Sequence, residues 1–313
     1  MDLFLTAWRN RRIHHAWLLA GPRGVGKATF AKAAARRVLA DAAGPEPQLA
    51  GLGVEPDHPA ARLIAAGSHP DYRLLERLER PTGGLARNIS VDQVRSLFEM
   101  LSVTPSLSPW RTIIIDAADD LEASAANALL KMLEEPPANT LFFLVAHAPG
   151  RLLPTIRSRC RRLDFQTLGD DVMASQVRLA KPDLADAAVA ALVDYGQGSI
   201  GRALAAADLD LPPLVTAAQL LMAEGDRDNA RRSQLSKELA GKAAADRYAA
   251  FLQMVPGLIA AEAQHATGPR RERALDAYEK ARQTAAIAPR LSLDPAMTAF
   301  QLGGLLASLS LKA

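Results

Sequence analysis

The sequence predicts an α/β domain built on a parallel sheet, followed by two all-helical domains. Three observations carry that prediction. A short apolar run, Ala16–Ala20, enters the glycine-rich stretch Gly21-Pro22-Arg23-Gly24-Val25-Gly26-Lys27, and helical sequence follows at once. Two further runs, residues 112–115 and 141–146, are apolar without alternation, as strands covered on both faces are. After about residue 166 strand signals stop, and Ala- and Leu-rich helical segments divided by Gly and Pro fill the rest. The expected domains are 1–165, 166–208 and 209–313.

Bulk composition narrows the function classes. With 313 residues, 49% hydrophobic and 23% charged, the chain has an ordinary globular composition and room for two or three domains. A net charge of +3 is too small to argue nucleic-acid binding by itself. A single cysteine excludes an internal disulfide and points to a reducing compartment. No apolar run reaches the ~18 residues of a membrane span. The first residues lack an apolar core followed by a small-residue cleavage site. A cytoplasmic location is therefore expected.

Taken in order, residues 9–15 (RNRRIHH) read as a solvated basic helix end rather than a nucleic-acid contact. The helix after Lys27 should reach about Ala40, and residues 42–59 form a Gly/Pro-rich loop or insertion. Ser68-His69-Pro70-Asp71-Tyr72 leads into a strand at 73–75, and a Pro/Gly hinge follows at 81–84. Ser90-Val91-Asp92-Gln93 is a capping-box pattern opening a helix to about Leu101. Asp116 ends the strand at 112–115, where open α/β sheets place ligand chemistry. Ala125, Ala128, Leu129, Met132 and Leu133 share one helix face, and Pro136-Pro137 stops that helix. A last short strand is expected at 162–165. Beyond it, breaks fall at 196–201, Pro212-Pro213, Gly225, Pro256-Gly257, Gly268-Pro269 and Pro289.

The glycine-rich stretch fits G-x-x-x-x-G-K, the phosphate-binding loop. Gly21, Gly24 and Gly26 let backbone N–H groups wrap a phosphate, the following helix directs its positive end at it, and Lys27 adds charge. The residue after the lysine should be Ser or Thr to hold magnesium; here it is Ala28, and Thr29 points ~100° away around the helix. Metal binding is thereby put in question, whereas ATP or ADP at the loop stays possible. Asp116 would be the magnesium-orienting acid of the second nucleotide motif. Its neighbour, which polarises the attacking water in ATPases, is Ala117. Asp119 and Asp120 read as a helix-start pair favoured by the dipole. Both losses predict no efficient hydrolysis by this chain. Arg157, Arg159, Arg161 and Arg162 crowd the entrance to the last strand. They are either a salt-bridged basic edge or, at Arg159, an arginine finger reaching another subunit's γ-phosphate.

The run ANALLKMLEEPPANTLFFLVAHAPGRLLPTIRSRC, with HHAWLLAGPRGVGKAT, His69-Pro70-Asp71-Tyr72 and the ISVDQVR segment at 89–95, resembles the clamp-loader AAA+ family of bacterial DNA polymerase III over the first ~200 residues. Beyond Leu204 the likeness is one of helical character and length. The resemblance implies an AAA+ α/β domain, a small helical lid and an all-α collar that closes a hetero-pentameric ring. It makes Arg159, in Ser158-Arg159-Cys160, the finger offered in trans to an ATPase motor subunit. It implies a non-hydrolysing, stator-like member with no independent catalysis and no required cofactor. Its partners would be the motor subunits and the delta subunit, the sliding clamp through the complex, and primed DNA without sequence specificity; no membrane is involved. The alternative is an active AAA+ ATPase using Thr29 with Asp119 or Asp120. Many relatives carry four zinc-binding cysteines in the stretch matching residues 41–67; here there are none, and His58 alone cannot make a tetrahedral site, so no zinc is expected. In Gly198-Ser199-Ile200-Gly201-Arg202, Gly201 stands where motor subunits carry arginine. His147 falls near their polar sensor position and is expected to be an ordinary hydrogen-bonded side chain.

Overall fold

The computed structural model describes residues 2–80 and 85–310, so the hinge expected at 81–84 lies outside the described residues. The chain divides into two compact units, Met1–Thr167 and Leu168–Ala313.

The first unit holds helix α1 (Asp2–Arg9), strand β1 (Ala16–Ala20), α2 (Lys27–Ala42), α3 (Pro59–Ala65), β2 (Tyr72–Leu75), α4 (Val91–Ser102), β3 (Arg111–Asp116), α5 (Ala123–Glu134), β4 (Thr140–Ala146), α6 (Pro154–Ser158) and β5 (Arg161–Asp164). All strand pairs are parallel, in the order β2-β3-β4-β1-β5. The uninterrupted apolar runs are explained by cover on both faces. Trp17, Leu19, Ile114, Phe143 and Val145 turn to one side, against Phe4 of α1 and the small-residue face Ala31, Ala34, Ala35 and Val38 of α2. Leu18, Ile113, Ile115, Phe142 and Leu144 turn to the other, against α4, α5 and Ile156 of α6. The alternation follows from the period-two pleat, and alanines on α2 let that helix approach the sheet closely. Phe4 packs edge-on to Trp17 at 5.3 Å, closing the core over β1.

Two local devices set the ends of the sheet. The capping box forms as expected: Ser90 accepts from the Gln93 N–H, and the Gln93 side chain returns to the Ser90 N–H. Asp71, 2% exposed, accepts the backbone N–H groups of Ser106, Leu107 and Ser108 at 2.9, 2.8 and 2.9 Å. Its own N–H donates to His69 Nδ1 at 3.1 Å. The His69–Tyr72 motif therefore anchors the loop that feeds β3.

In the loop 43–58, His58 uses both ring nitrogens: Nδ1 accepts from Ala60 N–H at 3.1 Å, and Nε2 lies 3.0 Å from the Pro45 carbonyl. Arg37 donates to the carbonyls of Leu49 and Gly53, and Glu55 accepts from the N–H groups of Gln48 and Leu49. Among the described residues no group of three or more His, Cys, Asp or Glu is placed to hold a metal ion.

The second unit is helical: α7 (Asp170–Ala180), α8 (Asp186–Gly196), α9 (Ile200–Asp208), α10 (Pro212–Glu224), α11 (Ala230–Leu239), α12 (Ala245–His265), α13 (Gly268–Leu291) and α14 (Pro295–Ala307). One hydrophobic core runs through it, from Met173 and Val177 through Leu214 and Phe251 to Leu302 and Leu306. Two expected breaks do not interrupt the helices. Pro256 lies inside α12 and Pro289 inside α13. For Pro256, burial of Phe251, Leu252, Val255 and Ile259 against the rest of the unit outweighs the one backbone hydrogen bond that proline removes. Pro289 lies in the last turn of α13, where little helix remains to be disrupted. Among the described residues no single helix is long and apolar enough to cross a membrane.

Candidate functional site

The loop between β1 and α2 has the shape its glycines demand. Gly21 passes so close to β5 that a Cβ there would stand 2.2 Å from the Phe165 carbonyl oxygen. Gly26, the N-cap of α2, has φ 96°, a left-handed conformation that glycine adopts without strain. Gly24 also has positive φ. Lys27 is 2% exposed. Its ammonium group folds back on its own loop, donating to the Gly21 carbonyl at 2.6 Å and to the Pro22 carbonyl. Burial holds its pKa below the ordinary lysine value, partly offset by the negative charges of Asp119 and Asp116.

Asp116 ends β3 opposite Val145 of β4, as expected. Ala117, next to it, is buried and carries nothing that could polarise water. Asp119 and Asp120 do stand at a helix start, but not that of α5. They lie in a 3₁₀ turn, Ala118–Asp120, and α5 begins only at Ala123. Asp119, 8% exposed, accepts the N–H groups of His147 and Ala148 at 3.1 and 2.8 Å. Burial alone would raise its pKa; those hydrogen bonds bring it below the ordinary carboxylate value. Asp120 pairs with Arg77 at 3.3 Å. Thr29 is exposed and lines a separate cavity of about 620 Å³ with residues of α2, α3 and β2, including Arg36, Ile64 and Arg73. His147 differs from expectation: its ring Nδ1 is buried without a protein hydrogen-bond partner. Burial, then the charge of Lys27, lower its pKa and favour the neutral ring.

The arginine run is sorted by the fold. Arg161 stacks over Trp17 at 5.2 Å and Arg162 pairs with Asp164 at 2.7 Å, so these two form the basic edge. Arg159 closes α6. Its Nη1 donates to the Thr155 carbonyl at 3.0 Å and its Nη2 meets Glu134 Oε1 at 2.7 Å. Cys160 turns inward against the core of α5 and α6, and burial pushes its thiol up to about 12. Glu134 was not singled out by the sequence; it stands 25 positions before Arg159, and no local pattern connects them. In the second unit Ser199 caps α9 by accepting the Arg202 N–H at 3.2 Å, and Arg202 lies over Tyr195. The Gly198–Arg202 stretch thus has a structural role at the helix start.

Strand, glycine-rich loop and helix, with Asp116 at the end of the neighbouring β3–β4 pair, define the class: a P-loop α/β protein of the AAA+ type. The chain belongs to the family described as DNA polymerase III, delta subunit, whose model matches residues 1–169. Similar relatives are the DNA polymerase III subunit delta' of Pseudomonas aeruginosa, 37% identical over 187 residues, and that of Escherichia coli, 34% identical over 204 residues. Those matches cover 59% and 65% of this chain, and 53% and 58% of the relatives, so the chain aligns with little more than half the length of the curated relatives it matches. A solved structure of a DNA polymerase III gamma subunit-related protein from Thermotoga maritima has the same fold, with TM-score 0.54 and 16% identity over 98% of this chain and 99% of that one. The subunit-type relatives agree with the clamp-loader resemblance read from the motifs.

Proposed function

We propose that this chain is a non-hydrolysing, stator-like clamp-loader subunit that completes a neighbouring subunit's ATP site with Arg159 and helps load the sliding clamp onto primed DNA. The observation that carries the reading is a contrast within one unit. Around the glycine-rich loop, Ala28 and Ala117 lack the metal-binding and water-activating groups, and Asp119 and Asp120 are committed to backbone and Arg77. Arg159, by contrast, keeps its side chain one-third exposed at the end of a short helix. A fixed, forked cation is suited to a transferring phosphate.

On this reading Gly21, Gly24, Gly26, Lys27 and Asp116 are a degenerate nucleotide site where ATP or ADP is optional, Thr29 lies outside it on another cavity, and turnover belongs to partner motor subunits. Helices α7–α9 act as the lid and α10–α14 as the collar of a hetero-pentameric ring with the motor subunits and the delta subunit. DNA contact is electrostatic and not base-specific. The loop 43–58 is held by His58, Arg37 and Glu55 in place of zinc. The protein works in the cytoplasm.

Steady-state hydrolysis tests the first half: the purified chain should show no robust ATP turnover. Arg159→Ala tests the second. It should leave the chain folded and lower the ATPase of the reconstituted complex by ~10³-fold at the affected site. Robust turnover by the chain alone, or wild-type ATPase and clamp loading with Arg159→Ala, would sink the proposal.

A further inference from the structure

We infer that Glu134 is the positioning residue for Arg159, setting the direction in which its guanidinium leaves the surface; this rests on the arginine-finger reading above. Arg159 sits at the end of α6, one residue beyond its last turn, and Glu134 is the last residue of α5. Both elements are seated on one core: Leu129, Met132 and Leu133 of α5 pack with Ile156 and Cys160. The two side chains therefore start from fixed backbones.

A guanidinium has five N–H donors in a rigid fork. Here Nη2 is taken by Glu134 Oε1 at 2.7 Å and Nη1 by the Thr155 carbonyl at 3.0 Å. Two contacts from different elements fix the plane of the fork and leave its remaining donors free for a phosphate. The exposures decide between guiding and restraining. The side chains are 34% and 48% exposed, and an ion pair this wet is weak. It biases orientation without holding the arginine back from a multiply charged phosphate. Glu135, the next residue, is also exposed and pairs with no cation among the described residues, so the effect belongs to one carboxylate.

The test is a reconstituted clamp-loader complex containing variants of this chain, with kcat and KM for ATP measured. Glu134→Ala should lower kcat about 3- to 10-fold with KM unchanged, the size expected when a reacting group loses part of its orientation. Glu134→Gln should restore most of the rate, because the amide oxygen still accepts from Nη2. Glu135→Ala should match wild type. Wild-type or faster turnover with Glu134→Ala overturns the inference, the faster case marking Glu134 as a restraint. So does a loss that Glu134→Gln fails to rescue, which marks a structural effect. Arg159→Ala separates the two levels. If it leaves ATPase intact, the finger reading itself fails; if it abolishes turnover while Glu134→Ala changes nothing, only the role of Glu134 fails.

Discussion

Asp119 Oδ2 accepts the backbone N–H of Ala148 at 2.8 Å, and its Oδ1 takes the neighbouring His147 N–H at 3.1 Å. One carboxylate thereby ties the turn after β3 to the end of β4, beside Lys27. Asp119→Asn replaces one acceptor oxygen with a donor and should destabilise the chain by about 1–3 kcal/mol. The folded pKa is depressed, so this stabilisation is fully present above the unfolded value of about 4 and is lost as pH falls through the lower folded value. Urea midpoints should show a constant gap between wild type and variant from pH 7 to about 5, narrowing below about 4. A gap that persists unchanged to pH 2 would refute the assignment.

Asp71 serves three N–H donors from 2% exposure. Asp71→Ala strands them, and should lower unfolding free energy by about 2–4 kcal/mol. The loss should be local first: limited proteolysis ought to cut near residues 104–109 before elsewhere. Uniform cleavage would argue that the loop is held by other contacts.

Cys160 supplies a kinetic check on packing. With its thiol raised to about 12, fewer than about one molecule in ten thousand carries a thiolate at pH 7.5. A thiol reagent should label the native chain orders of magnitude more slowly than the urea-unfolded chain. Fast native labelling would place the sulfur at the surface, contrary to its seat on the core of α5 and α6.

The loop 43–58 is closed by protein hydrogen bonds, so exhaustive chelation should leave the melting temperature unchanged. His58→Ala removes the bonds at Ala60 and Pro45 and should cost about 1–2 kcal/mol by thermal unfolding. A melting temperature that falls with chelator would reveal a metal contribution.

Much of the first unit was legible because its signals are local. The loop 21–27, the unalternated runs of β3 and β4, and the Ser90–Gln93 cap each depend on neighbours a few residues apart, and periodicity reports them directly. The helix breaks at Pro256 and Pro289 were misread because a distant core stabilises α12 and α13 through residues that proline does not disturb, with Pro289 also close to a helix end.

By itself, the sequence determined the class of fold and which chemical groups are missing: alanine at 28 and 117 is independent of folding, and no packing can add a hydroxyl or a carboxylate. Only the tertiary structure decided what the remaining polar groups do. It committed Asp119 to the end of β4, turned Lys27 onto its own loop, left the ring Nδ1 of His147 without a partner and set Glu134 against Arg159. The physical reason is that hydrogen bonds and ion pairs are short-ranged, whereas Glu134 and Arg159 lie 25 positions apart and Asp119 lies 28 and 29 from His147 and Ala148. Their partners exist only once the sheet brings the strand ends together.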